Sequence, residues 1–166
     1  MKRTLLISFS VLTVLFLAYI LWNNNEPTST EPESISVKSV REELVPLPSL
    51  GPQEVVNIQL QAMQNNNQPY ENHGIEVAFR FASPSNKENT GPLNQFIKLV
   101  QNDTYSSLLN FKQYGLDDVD VKGDKAIQKV TLINEDDKPA VFYFKLSRQQ
   151  EEPYADCWMT DGVIPY

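Results

Sequence analysis

AIQKVTLINEDDKPAVFYFKL, residues 126–146, is the stretch on which the fold turns. Ala126 to Asn134 is rich in β-branched side chains, and Ala140 to Leu146 carries the densest apolar run, Val141-Phe142-Tyr143-Phe144. Residues of this kind suit a pleated, half-buried surface. Between them Glu135-Asp136-Asp137-Lys138 is charged and polar, which fits a hairpin loop. The stretch therefore predicts two antiparallel strands.

Further strands are predicted on both sides. Gln149 to Pro153 reads as a turn, and Cys157 to Ile164 as a closing strand. Upstream, Gly123-Asp124 is a turn, and Leu108 to Tyr114 is a candidate strand ended by Gly115. Before that the period changes. Leu93, Phe96, Ile97 and Val100 make an amphipathic helix opened by Gly91-Pro92 and ending near Asn102, and Ser85 to Thr90 reads as a polar loop. Gly51-Pro52 opens an earlier helix, with Glu54 at its positive end and an apolar stripe of Val56, Leu60 and Met63. Asn65-Asn66-Asn67 stops it, since asparagine competes for backbone hydrogen bonds. Ile75 to Phe81 alternates as a strand would, yet Ile75, Ala78, Phe79 and Ala82 also share one helical face; periodicity favours the strand slightly. Helices followed by a meander of strands give the α+β class, one antiparallel sheet with helices on one face.

Ahead of this domain lies a different kind of sequence. Leu5 to Trp22, LLISFSVLTVLFLAYILW, is uncharged and follows Lys2 and Arg3. As a helix it is roughly 27 Å long, enough for a hydrocarbon core. Tyr19 and Trp22 stand where amphipathic rings favour the headgroup layer. Residues 1–22 are thus expected to be an uncleaved signal anchor, with the amino terminus cytoplasmic and the rest exported as a single-pass protein. The competing readings are a cleaved signal, which would leave a secreted protein, and a soluble chain with a buried core helix. Against cleavage, no small-residue pattern follows the apolar run. From residue 23 to 51 the chain turns polar, with Pro27, Pro32, Pro46 and Pro48 among Ser, Thr, Asn and Glu, and is expected to be a linker. Within it Ile35 to Val40 alternates as a short docking strand would. Residues 52–166 remain for one folded domain.

The formal net charge is −7, and without the positive charges of Lys2 and Arg3 it becomes −9. That argues against nucleic acid and against an anionic lipid surface as partners of the domain. Cys157, the only cysteine, cannot form an internal disulfide, so the core must hold without covalent staples.

Phe81-Ala82-Ser83-Pro84, Gly91-Pro92, Phe96, Val100, Tyr105, Trp158 and Asp161-Gly162-Val163 are similar to the family known only as domain of unknown function 4864. The resemblance runs from Pro52 to Ile164, and extends to the cone-shaped α+β folds like nuclear transport factor two. It implies three helices followed by a curved sheet of about four strands, and so makes Ile75 to Phe81 helical. The family lends no catalytic residues. The wider superfamily holds isomerases, dehydratases, transport factors and dimerisation modules, so the fold alone does not choose among them.

The residues offer little complete chemistry. His73 is the only histidine, which leaves a histidine-built metal site without ligands. Its plainer reading is an exposed or capping residue. Asp118-Val119-Asp120-Val121-Lys122-Gly123 begins like a calcium loop, but Lys122 and Lys129 occupy ligand positions. Cys157 has Asp156 and Asp161 for neighbours, the wrong sign for an activated thiol. No cofactor motif is present, and none is expected. If the cone is hollow, Trp158, Tyr105 and Tyr143 are the candidates to bind a ligand in it. Asp161 with Tyr105 or Tyr143 is then the candidate catalytic set of an isomerase or lyase, a carboxylate abstracting a proton beside stabilising hydroxyls. The alternative is that the aromatics fill the core and Asp161 makes a turn. The leading expectation is a non-enzymatic, membrane-anchored domain that binds a protein partner or small apolar ligand, with homodimerisation through the outer sheet face as a third class.

Overall fold

The computed structural model describes residues 44–166. Helices α1 (Pro52–Gln64), α2 (His73–Arg80), α3 (Pro84–Thr90) and α4 (Leu93–Val100) come first, then a 3-10 turn (Ser106–Leu108). Five strands follow: β1 (Gln113–Leu116), β2 (Asp120–Lys122), β3 (Lys125–Ile133), β4 (Pro139–Arg148) and β5 (Trp158–Pro165). The five strands pair antiparallel, in the order β1-β3-β4-β5, with β2 also pairing with β3. The class is α+β, with four helices where three were expected and five strands where about four were expected, among the described residues. No helix among the described residues is long and apolar enough to cross a membrane. The anchor expected at 1–22, the strand-like segment at Ile35 to Val40 and most of the linker expected at 23–51 lie outside the described residues.

The β3–β4 hairpin forms where the sequence places it. Its inward pairs are Ala126↔Leu146, Gln128↔Phe144, Val130↔Phe142 and Leu132↔Ala140. Asn134 closes the loop by accepting at Oδ1 from the N–H groups of Asp136 and Lys138, at 3.0 and 2.8 Å. Helix α1 lays Val55, Val56, Leu60 and Met63 against this face, joined by Phe81 and Trp158. Each such side chain contributes about 1.5–3 kcal/mol on leaving water. Glu54 Oε2 accepts from the N–H of Gly51 at 2.6 Å and fixes the start of α1.

The segment from Ile75 to Arg80 is helical, with Phe81 at its C-cap, and buries Ile75, Val77 and Ala78. Its N-terminus is held by a residue from the preceding turn. Asn66, itself buried, accepts at Oδ1 from the N–H of Ile75 at 3.0 Å and at its carbonyl from the N–H of Gly74 at 3.0 Å.

Two local expectations are corrected. Ser85 to Thr90 is not a loop but most of α3. Ser83 Oγ accepts from the N–H of Asn86 at 3.2 Å, Pro84 stands at the first position, and Asn86 Nδ2 donates 3.0 Å to the carbonyl of Thr160. Leu108 to Tyr114 is not a strand for most of its length. Asn110 takes a left-handed φ of 52°, its N–H donates to the Met63 carbonyl and its Oδ1 accepts from Asn66 N–H. Those bonds tie the segment to the end of α1, so the strand starts at Gln113 and passes through Gly115.

Glu76 gives α2 a pH-dependent support. The Tyr70 hydroxyl donates 2.8 Å to one carboxylate oxygen and Arg80 approaches the other at 3.2 Å. The Tyr70 hydrogen bond first, then Arg80, holds the Glu76 carboxyl below its ordinary 4.5. A folded value below the unfolded one means stabilisation that is complete above 4.5 and is lost as pH falls through the folded value. Urea unfolding of wild type and Glu76→Gln is expected to show a stability gap at neutral pH that narrows below that value. A gap independent of pH would contradict the assignment.

Candidate functional site

Between the helices and the inner face of the sheet lies a cavity of about 230 Å³. Met63 of α1, Ala78 of α2, Phe96 and Leu99 of α4, Phe144 of β4 and Val163 of β5 make its apolar wall. Gln59, Asn86, Asn89, Thr90 and Thr160 supply polar groups. Phe96 of that wall packs against Phe79 of α2, ring centroids 5.2 Å apart. The polar part is built around Thr160 of β5.

Thr160 joins four elements. Its Oγ1 donates 2.7 Å to Gln59 Oε1 of α1, while Gln59 Nε2 donates 3.0 Å to the Ala78 carbonyl of α2. Its carbonyl accepts from Asn86 Nδ2 and, at 2.9 Å, from the N–H of Ser83, and its own N–H donates 2.9 Å to the Phe81 carbonyl. The last two bonds form a parallel bridge between Ala82 and Thr160 that continues the sheet by one residue. Thr90 Oγ1 donates 2.8 Å to the Asn86 carbonyl, and Asn89 Nδ2 donates 2.9 Å to the Ser85 carbonyl.

The family model for Domain of unknown function (DUF4864) matches residues 51–164. The chain belongs to this family. No curated protein and no solved structure matches the chain.

In this DUF4864 domain the residues singled out from sequence are divided between the two faces of the sheet. Tyr105 lines the cavity, its ring stacked on Phe142 at 6.4 Å and its hydroxyl donating 3.3 Å to the Val163 carbonyl. Trp158 is buried in the core, with the Arg148 guanidinium 5.3 Å over its ring, and is not on the cavity wall. Tyr143 alternates with the inward Phe142 and Phe144, so it stands on the outer face, 6.1 Å from the Tyr166 ring. Asp161 contributes to the wall, but its carboxylate accepts 2.7 Å from Ser147 Oγ and pairs with Lys125 Nζ at 3.3 Å. Lys125 and Ser147 are cross-strand neighbours at alternate positions to the inward Ala126 and Leu146, which places the carboxylate on the outer face. The register shift at Lys145/Leu146 inserts Asp161 as the extra residue of a bulge, and bulges re-aim side chains. The structure thus brings Tyr105 to the cavity and turns the carboxylate of Asp161 and the ring of Tyr143 away from it.

Cys157 is buried, and burial, then the Asp156 and Glu152 carboxylates, pushes its thiol up. His73 opens α2 edge-on to Tyr70 at 4.8 Å, its Nδ1 buried without a partner among the described residues. On the outer face, the surface of the third reading, homodimerisation, Ile127, Tyr143 and Ile164 are interleaved with Lys125, Lys129 and Lys145.

Gln59, Asn86, Asn89 and Thr90 were not found by sequence reasoning. One of them left a signal. Gln59 interrupts the apolar face that buries Val55, Val56, Leu60 and Met63, and a polar residue at such a position needs a buried partner.

Proposed function

We propose that this chain is a non-enzymatic binding protein whose domain holds a small, largely apolar ligand in the cavity, and that residues 5–22 tether it to a membrane with the domain on the non-cytoplasmic side. The cavity carries the reading. At about 230 Å³, with a mostly apolar wall, it has room for a small organic molecule. An apolar void of about 150 Å³ already admits benzene. The helices-first order around a cavity supports kinship with the folds like nuclear transport factor two. The tether rests on the uncharged run from Leu5 to Trp22 behind Lys2 and Arg3.

Proton abstraction fits the cavity poorly. It requires a carboxylate facing donor hydroxyls, and here the Asp161 carboxylate is held by Ser147 and Lys125 while the Tyr105 proton is held by Val163.

The test is titration of the full-length chain in nanodiscs with ethylbenzene, followed by methyl NMR. Saturable shifts confined to Met63, Ala78, Leu99 and Val163 are expected, and Leu99→Trp, which fills the space from its rim, should abolish them with unchanged circular dichroism. Partitioning without saturation would refute the reading. Resistance of the chain to alkaline extraction from membranes tests the tether, and its release would refute that part alone.

A further inference from the structure

The polar side chains of the cavity wall have their protons directed by backbone carbonyls, which can only accept. Thr90 Oγ1 donates to the Asn86 carbonyl and the Tyr105 hydroxyl to the Val163 carbonyl. Gln59 Nε2 donates to the Ala78 carbonyl, which leaves Oε1 to accept and so makes the Thr160 hydroxyl the donor between them. Asn86 and Asn89 each commit an amide N–H to a carbonyl, of Thr160 and Ser85 respectively. Every amide orientation is therefore fixed.

What remains for a guest is mostly acceptor capacity. The Oδ1 atoms of Asn86 and Asn89 have no partner among the described residues. The oxygens of Thr90, Tyr105 and Thr160 keep lone pairs, and each asparagine amide keeps one N–H. Among the described residues no lysine, arginine or histidine lines the cavity. An anion would lose its water for no opposing charge, at a cost of several kcal/mol. A ketone would meet mostly acceptors. A hydroxyl, which donates one proton and accepts another, matches both kinds of remaining group.

We infer that the ligand, on the reading that the cavity is a binding site, is a small neutral alcohol or phenol, its apolar body against Met63, Phe96 and Phe144 and its hydroxyl among Asn86, Asn89 and Thr90. The volume sets its size. At about one and a half times the void that admits benzene, it takes a monocyclic molecule with a short substituent.

Three probes of one shape test this on the full-length chain in nanodiscs: ethylbenzene, 4-ethylphenol and 4-methylbenzoate. 4-Ethylphenol is expected to bind about tenfold tighter than ethylbenzene, the worth of one hydrogen bond, and 4-methylbenzoate not to bind. In Asn89→Leu/Thr90→Val the ratio of phenol to ethylbenzene affinity should fall from about tenfold to below about threefold, and Thr90→Val alone gives a second, milder version of the same comparison. Ethylbenzene binding as tightly as the phenol, or tight binding of the benzoate, overturns the inference and leaves the cavity a binding site. Failure of all three probes overturns the binding-site reading itself.

Discussion

Gly74→Ala is expected to destabilise the domain by about 3 kcal/mol or more. A Cβ at position 74 would stand 2.3 Å from the Ala62 carbonyl oxygen, 2.7 Å from its carbon and 2.9 Å from Met63 Cα. These are backbone atoms of α1 and cannot rotate aside, so α1 and α2 would have to separate. Separation removes Ile75, Val77 and Leu60 from their neighbours and breaks the Gly74 N–H bond to the Asn66 carbonyl. The direction is opposite to the intrinsic preference, since alanine in a helix is favoured over glycine by about 1 kcal/mol. Gly115→Ala is the control, because nothing lies within 4 Å of the Cβ it would carry. Urea unfolding read by circular dichroism should show a large loss for the first and a change within about 0.5 kcal/mol for the second. A Gly74→Ala chain as stable as wild type would mean that the two helices are not in this contact.

Asn66→Ala is expected to cost about 2–3 kcal/mol, the penalty of a buried donor left without an acceptor together with lost side-chain bonds. The donor is the N–H of Ile75, a residue with 0 % exposure in the first turn of α2. Asn66 Nδ2 also reaches Asn67 Oδ1 at 3.2 Å and Asn72 Oδ1 at 3.4 Å, and Asn72 Oδ1 accepts from Gln101 at 2.9 Å. The turn between α1 and α2 is thus held by amides rather than by apolar packing. Asn66→Asp keeps the acceptor at a helix N-terminus, where negative charge is favoured, but sets it against two oxygens. A partial rescue is the expected outcome. Equal losses for Ala and Asp would place the cost elsewhere than on the Ile75 N–H.

The β3–β4 hairpin was legible because it is wet on one side. Lys125, Ile127 and Lys129 alternate with Ala126, Gln128 and Val130, and that alternation survives in the sequence. Helix α3 was not legible, for the converse reason. PSNKENT has no apolar stripe, and what holds it to the fold is polar: Asn86 on the Thr160 carbonyl, and Lys87 on the Arg80 carbonyl and over the Phe79 and Tyr154 rings. Leu108 to Tyr114 carried the β signal of its side chains while Asn110 bound the end of α1 instead. Non-local bonds decided both cases.

The candidate site was legible to about the same depth. Tyr105 was named and lines the cavity. Asp161 was named too, but one extra residue in β5 reverses the face of every side chain on one side of it. Gly162 inside the strand hints at a bulge, but which residue is the extra one is not fixed before the register with β4 is known. The polar groups around Thr160 come from α1, α3 and β5, and only the interruption at Gln59 hinted at them.

The bridge between Ala82 and Thr160 also bears on how this domain meets others of its kind. At that point the last strand is already occupied on both sides, by Leu146 and by Ala82, so a stray chain finds no open ladder there to copy. The opposite margin is made of β1 and β2, four and three residues long, the second bearing Asp120 and Lys122. Short, charged margins discourage self-templated stacking, a protection that needs no disulfide.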